Sequence, residues 1–145
     1  IRSLHNVGAI FRTCDGVGLE KLWLCGITGY PPQGGIAKTA LGSEDYVPWE
    51  YRQDIVSLLK ELKGQGYNIV LLEQMESSVP HDQFKPKAPV CLVVGNEVTG
   101  VAEQICSLSD SAIEIEMSGI KNSLNVAIAF GIVAYHIRTE ILAKK

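Results

Sequence analysis

The chain lacks the cysteine pattern of a disulfide framework or a zinc site. Its 145 residues include four cysteines, and no two of them form a Cys-x-x-Cys pair: Cys14, Cys25, Cys91 and Cys106. The three histidines are equally scattered. Ligands of a structural metal come at short, regular spacings, so we expect reduced thiols and no metal site.

Long apolar runs are also missing. The longest, Val126 to Tyr135, is too short to span a bilayer, so the sequence predicts no membrane segment. The start, Ile1 to Ser3, has neither an initiator methionine nor the apolar core of a signal peptide. We therefore expect a cytoplasmic protein whose natural chain begins earlier, with a short N-terminal segment missing here.

An excess of positive charge is absent as well. Lysine and arginine number 13 against 16 aspartates and glutamates, which gives a formal net charge of −3 and a pI of about 5.6. This balance argues against a protein that binds nucleic acid through a general basic surface. An RNA enzyme remains compatible with it if positive charge is local or lies in the missing segment.

Neither common nucleotide fingerprint is complete. Gly95 to Gly100 is a glycine-bounded loop, but Val101-Ala102 follow it where a phosphate loop requires Lys-Ser/Thr. The dinucleotide pattern Gly-x-Gly-x-x-Gly begins at Gly16 and fails at Lys21. The sequence therefore lacks the marks of an ATP- or NAD-binding fold.

Strand-like and helix-like segments alternate along the chain. Strands that are apolar throughout are buried on both faces, so this order predicts one α/β domain over residues 1–145, with a parallel sheet flanked by helices. Asn6 is the predicted cap of the first helix, Gly18 lies just past its end, and Asp54 caps the second helix. The predicted helices are 6–16, 55–62, 102–108 and 122–142, and the predicted strands are 21–25, 46–49, 68–72, 90–94 and 112–115. Residues 26–35 and 80–89 are predicted connectors.

The final predicted helix is apolar on every face between Val126 and Tyr135. One sheet covers only one side of a helix, so the other sides need a second surface. A central helix in a larger core is one solution, but the chain is small. A subunit interface is therefore the favoured interpretation.

Three segments join a glycine turn to polar residues at a strand end or a helix start. They are Asn6-Val7-Gly8-Ala9-Ile10-Phe11-Arg12-Thr13, Leu92 to Val101, and Met117-Ser118-Gly119-Ile120-Lys121-Asn122-Ser123-Leu124-Asn125-Val126-Ala127. In this order and spacing they resemble the motifs of the SPOUT superfamily of RNA methyltransferases, in particular its SpoU/TrmH branch.

The resemblance implies an RNA 2′-O-ribose methyltransferase. Such an enzyme transfers a methyl group from S-adenosylmethionine to a nucleotide of tRNA or rRNA. The residues of the three motifs resemble the tRNA-modifying branch most, which favours tRNA. The resemblance also implies a homodimer built partly on the final helix and a C-terminal trefoil knot. Only the resemblance supports the knot, since true knots are nearly absent from proteins.

The resemblance assigns the cofactor contacts, mostly through backbone groups, to six residues: Leu72, Gly95, Ile115, Met117, Ser123 and Leu124. Taken alone, Leu72, Ile115 and Leu124 read as plain core residues. The sequence departs from the family at Glu116, where proline is usual, so this loop is expected to be less rigid.

The resemblance assigns Arg12 to activation of the ribose hydroxyl, with Asn6 holding the geometry and Ser123 and Asn125 assisting. Glu97 is expected to shape the site or receive the substrate. A guanidinium group is essentially always protonated and is a poor base. We therefore favour an electrostatic role for Arg12, in which it binds an RNA phosphate and lowers the pKa of the 2′-hydroxyl.

Lys38 and Lys121 are weaker predictions as RNA phosphate contacts, because solvated lysines are the ordinary case. Two alternatives to the enzyme stay open. One is a catalytically silent SPOUT-like RNA-binding module, against which the joint presence of the polar motif residues argues. The other is a flavodoxin-like nucleotide-binding protein, which the acidic pI favours and the missing phosphate fingerprints disfavour.

Overall fold

The computed structural model describes residues 1–144, which form two compact units. The first unit spans Ile1–Ile55, and the second begins at Val56 and runs to the C-terminal end. Each unit is built on a parallel sheet with helices. The predicted fold class, α/β with parallel strands flanked by helices, is therefore confirmed for the described residues, but the strands form two sheets where one was predicted.

The first unit has two helices, two strands and one 3-10 turn. The strands pair in parallel, with Leu22 opposite Trp49. In chain order the elements are α1 (Leu4–Val17), β1 (Leu22–Cys25), α2 (Gly34–Ala40), the 3-10 turn Ser43–Asp45 and β2 (Trp49–Arg52).

The start of α1 corrects the sequence analysis. The cap is Ser3, whose hydroxyl accepts a hydrogen bond from the backbone N–H of Asn6 at 3.1 Å. Asn6 therefore lies inside the first turn, where it is only 7% exposed. The prediction that Asn6 caps this helix was wrong because Ser3 offers an equivalent capping oxygen closer to the N-terminus. Gly18, with φ 68°, ends the helix as predicted.

Helix α2, which begins inside the predicted connector 26–35, was not predicted. This short helix packs closely on α1, since a Cβ at Gly8 would lie 2.9 Å from the backbone nitrogen of Ala40. The strand predicted at 46–49 begins only after Pro48 and runs through Arg52. Proline has no N–H for the ladder, so Pro48 contributes only its carbonyl, which accepts from Leu22.

The second unit is a four-stranded parallel sheet with the strand order β4-β6-β3-β5. Its core joins the sheet to the last helix: Ile69, Leu71 and Ile113 on the strands and Val133 on that helix are each 0% exposed. Its elements are α3 (Ile55–Gly64), β3 (Asn68–Leu72), β4 (Val79–Pro80), the 3-10 turn His81–Gln83, β5 (Val90–Val94), α4 (Glu103–Cys106), β6 (Ser111–Glu114) and α5 (Val126–Ala143).

Strands β3 and β5 have the predicted bounds, because each is a continuous apolar run. The short strand β4 lies where a polar connector was predicted, and its Val79 pairs with Ile113. Helix α4 is only four residues long, shorter than predicted. Helix α5 begins at Val126 with Asn125 as its cap, so the predicted start at Asn122 was too early.

Helix α5 is buried along one side only, through Ala127, Phe130, Val133, Ala134 and Ile137. The other side exposes Ile128 by 57%, Ile132 by 38% and Tyr135 by 45%. By length and composition alone, α5 would also be able to cross a membrane, a test that the core helix of a soluble protein passes as well. That test averages over all of α5, including Arg138 and Glu140, whereas the continuous apolar run ends at Tyr135.

Candidate active site

Three neighbouring strands of the second unit end together. In the register of the sheet, Leu72 at the end of β3 lies opposite Val94 at the end of β5. Leu72 also lies opposite Ile113, close to the end of β6. Gly95 directly follows the end of β5, and Ile115 directly follows the end of β6. In open parallel sheets, ligands bind at the carboxyl ends of strands, so this edge is the expected place for a ligand.

The loop after β5 is closed on itself. Asn96 and Gly100 exchange backbone hydrogen bonds of 3.1 and 2.9 Å. The side-chain oxygen of Asn96 accepts a further bond from the backbone N–H of Val98 at 2.7 Å. A Cβ at Gly95 would lie 2.5 Å from the carbonyl carbon of Gly100, and Gly100 has φ 71°. Both glycines are therefore required by the loop itself.

The tip of this loop is open to solvent. Glu97 is exposed, and Val98 is 80% exposed. The backbone of the loop is therefore fixed while its tip stays accessible, a combination that suits contact with a substrate.

The loop after β6 lies between Ile115 and the start of α5 and has no helix or strand. Ile115 and Leu72 are partly buried and pack against the core cluster of Val70, Ile113, Val133 and Ile137. These contacts agree with the plain-core reading of Leu72 and Ile115, and both residues also lie at the edge where the strands end. Met117 and Leu124 are half-buried.

Six polar residues of the 115–125 loop are exposed: Glu116, Ser118, Lys121, Asn122, Ser123 and Asn125. The side-chain oxygen of Asn125 accepts hydrogen bonds from the backbone N–H groups of Ala127 at 2.9 Å and Ile128 at 3.3 Å. Asn125 is therefore the N-cap of α5, and its orientation is fixed by the helix.

Two residues that the sequence analysis did not select connect these loops. The carboxylate of Glu73 accepts a hydrogen bond from the backbone N–H of Val101 at 2.9 Å. The side-chain amide of Gln74 donates to the carbonyl of Asn122 at 2.5 Å. The available signal was their place in the sequence, since polar residues that directly follow a buried strand lie at the ligand-binding edge.

In the first unit, Arg12 and Lys38 are exposed, on α1 and α2 respectively. Asn6 and Arg12 are six positions apart, about 240° around the helix axis, so they lie on different faces of α1. Asn6 faces the buried side with Phe11, while Arg12 faces solvent. An exposed guanidinium on a rigid helix is suited to bind a phosphate.

Burial keeps two thiols of the first unit out of nucleophilic chemistry. Desolvation raises the pKa of Cys14 to about 12. It raises the pKa of Cys25 to about 11, although Arg52 opposes the shift. A thiolate is the reactive form, so neither residue is a nucleophile near neutral pH. Among residues 1–144, no three His, Cys, Asp or Glu side chains gather as a metal site.

Comparison with known proteins gives three informative likenesses. A tRNA (guanosine(18)-2′-O)-methyltransferase of Aquifex aeolicus is 35% identical over 144 residues, which are 97% of this chain and 66% of the relative. The crystal structure of the A. aeolicus TrmH/SpoU tRNA modifying enzyme has a TM-score of 0.88 at 34% identity, covering 99% of this chain and 73% of that one. The crystal structure of the AdoMet-bound rRNA methyltransferase from Sinorhizobium meliloti has a TM-score of 0.87 at 26% identity. The match covers 95% of this chain and 52% of that one.

The chain thus spans just under two thirds of the Aquifex relative's length, 66%. Residues 1–135 match the SpoU rRNA Methylase family, which is most of the chain. The family match covers all three sequence motifs, the whole first unit and most of the second unit. The chain therefore belongs to the SpoU rRNA methylase family.

Proposed function

We propose that this protein is an RNA 2′-O-ribose methyltransferase that uses S-adenosylmethionine. One observation carries the proposal. In a chain of the SpoU family, the loops that follow β5 and β6 meet the end of β3 at one edge of the sheet and are hydrogen-bonded to the residues after β3. A ligand at this edge can contact both loops at once.

The residues at this edge fit the cofactor. Gly95 lets the backbone approach closely, because a side chain there would collide with the loop. Leu72, Ile115, Met117 and Leu124 are partly buried and offer apolar surface for an adenine ring, while Ser123 offers a hydroxyl. The AdoMet-bound S. meliloti relative supports the same choice. S-adenosylmethionine supplies a methyl group that already carries its leaving group.

The chain's own residues then have to position the RNA. Arg12 binds an RNA phosphate through its planar guanidinium and lowers the pKa of the nearby 2′-hydroxyl. Asn6 holds the start of α1, and Glu97 contacts the substrate from the exposed loop tip. Asn125 and Ser123, at the start of α5, help to align the 2′-oxygen with the methyl group. Lys38 and Lys121 add weaker phosphate contacts.

We favour tRNA over rRNA as the substrate. The Aquifex relative named for tRNA is 35% identical, and the Bacillus subtilis relative named for 23S rRNA is 31% identical, so the preference rests on a small difference in identity. With a net charge of −3, RNA binding depends on local positive charge at residues such as Arg12.

The assembly that we propose is a cytoplasmic homodimer, with residues 1–145 acting as one methyltransferase domain. Ile128, Ile132 and Tyr135 are exposed at helical spacing on α5, so they form one apolar stripe that a second copy would cover. The C-terminal segment is proposed to thread a trefoil knot. The support for the knot is the family alone, and an experimental backbone that pulls straight from both ends would refute it.

Ligand-induced thermal stabilisation tests the cofactor choice. S-adenosylhomocysteine at 100 times its Kd would stabilise the protein by about 2.7 kcal/mol, which raises Tm by about 5–10 °C. Flavin mononucleotide and ATP are the matched comparisons. Stabilisation by either of them instead would support the flavodoxin-like alternative and contradict the proposal.

A further inference from the structure

We propose that Glu73 is a positioning residue that braces the cofactor loops, and that Gln74 shares this task. The inference rests on the proposed function, which gives a cofactor role to the loops 95–101 and 115–125. Neither Glu73 nor Gln74 belongs to the three sequence motifs. Their contacts indicate this role.

Glu73 bonds in two directions. Its backbone N–H donates to the carbonyl of Ile113 at 3.1 Å, which continues the pairing of β3 with β6. Its carboxylate points to the other neighbouring loop and accepts from the N–H of Val101, which lies 28 positions further along the chain, at 2.9 Å. A single residue thus joins the end of the sheet to the loop after β5.

Gly100 shows how closely the carboxylate approaches that loop. A Cβ at Gly100 would lie 2.5 Å from the carboxylate oxygen of Glu73. On its other side, the N–H of Gly100 is bonded to the carbonyl of Asn96. The second glycine of the loop is therefore held between the loop's own closing bonds and Glu73.

Gln74 makes the equivalent bond to the other loop. Its amide donates to the carbonyl of Asn122 at 2.5 Å, shortly before the cap of α5. The turn that carries both residues is fixed by Ser78, whose hydroxyl donates to the carbonyl of Glu73 at 2.7 Å and accepts from the N–H of Met75 at 2.8 Å. Adjacent side chains on one fixed turn thus connect two separate loops.

This bracing has a consequence for binding. A ligand that contacts two mobile loops must order both of them, and that ordering reduces its affinity. Loops that are already held in place remove much of this cost. The hydrogen bonds of Glu73 and Gln74 are therefore expected to affect cofactor affinity and KM for S-adenosylmethionine, with little effect on kcat at saturation.

The test compares Glu73→Ala with Glu73→Gln, which keeps an acceptor for the Val101 N–H. Glu76→Ala is the matched control, because Glu76 is an exposed carboxylate on the same turn. Calorimetry should show S-adenosylhomocysteine binding weakened about tenfold in Glu73→Ala and less than about threefold in Glu73→Gln. Hydrogen exchange of the cofactor-free protein should be faster at the Val101 amide only in Glu73→Ala.

The outcomes separate this proposal from the proposed function. A wild-type protein that binds no S-adenosylhomocysteine contradicts the proposed function, and it also contradicts the role of Glu73 and Gln74 in cofactor binding. A wild-type protein that binds, together with a Glu73→Ala variant that matches it in affinity and exchange, overturns the role of Glu73 alone. If Glu73→Ala does not fold, the exposed Gln74→Ala gives the same comparison through the 115–125 loop.

Discussion

Arg12 combines two properties that matter for a residue acting on RNA. It stands on a helix whose opposite face is anchored by buried side chains such as Phe11, and its own side chain is exposed. Such a guanidinium is held in position by the backbone while it remains accessible to a phosphate. Its permanent charge suits transition-state stabilisation better than proton removal.

Replacing Arg12 with alanine should abolish most methyl transfer and leave cofactor binding nearly intact. The proposed cofactor contacts lie in other motifs, so the loss should fall on the chemical step, by about 100- to 1,000-fold. Arg12→Lys should restore little of the methyl-transfer activity, since an ammonium group cannot reproduce the planar, two-pronged hydrogen bonding of a guanidinium group. Single-turnover methylation is compared with S-adenosylhomocysteine affinity, with the exposed Lys60→Ala as the charge control. Normal turnover in Arg12→Ala would refute this role.

Individual residues also show where sequence reasoning ends. Asn6 and Ser3 both offer capping oxygens, and only the observed bond from Asn6 N–H to Ser3 identifies the cap. At the start of α5, both Asn122 and Asn125 offer a capping oxygen, and only the observed bond from Ala127 N–H identifies Asn125 as the cap. The contact of Glu73 with Val101 spans 28 positions, so no local pattern contains it.

At the scale of elements, one carboxylate links α3 to the sheet by hydrogen bonds. Asp110 accepts hydrogen bonds from the ammonium of Lys63 and from the backbone N–H of Ile69, each at 2.8 Å. The bond from Lys63 is the main cause that lowers the pKa of Asp110, followed by the bond from Ile69. The charged form of Asp110 is thus favoured by folding.

Asp110→Asn should therefore destabilise the protein at neutral pH. Since the folded pKa lies below the unfolded value, Asp110 stabilises the fold above about pH 4, and this contribution is lost as the pH falls through the folded pKa. The loss at pH 7 should be about 1 kcal/mol, because the pair is partly exposed. Urea unfolding from pH 7 to pH 3 measures it. The role of Asp110 would be contradicted if Asp110→Asn differed from wild type by the same free energy of unfolding at every pH in this range. An equal loss of stability in Glu76→Gln, a control at an exposed site, would also contradict it.

Elements with a strong pattern were predicted well, and short ones were not. The strands β3 and β5 are continuous apolar runs, so their bounds could be read directly from the residues. The seven-residue α2 is too short to show a helical period and depends on close packing at Gly8. The two-residue β4 exists only because β6 lies beside it.

At the scale of the whole molecule, the exposed stripe of α5 predicts a dimer. The sequence indicated that this helix needs a second covering surface, and the fold buries only one side of it. Ile128→Glu should place a charge in that interface and dissociate the dimer at micromolar concentration. Ile27→Glu is the matched control, because Ile27 is 73% exposed and lies outside α5. Sedimentation that finds a stable wild-type monomer at this concentration would refute the dimer.

The central claim is methyl transfer to a ribose hydroxyl of RNA, and mass spectrometry of RNA nucleosides tests it most directly. Transfer RNA and ribosomal RNA are incubated separately with the protein and S-adenosylmethionine, with Arg12→Ala in parallel, and are then digested to nucleosides. We expect one new nucleoside whose added methyl group lies on the ribose fragment, in tRNA and with the wild-type protein only. A methyl group on the base, or RNA left unmodified by a protein that binds S-adenosylhomocysteine, would contradict it.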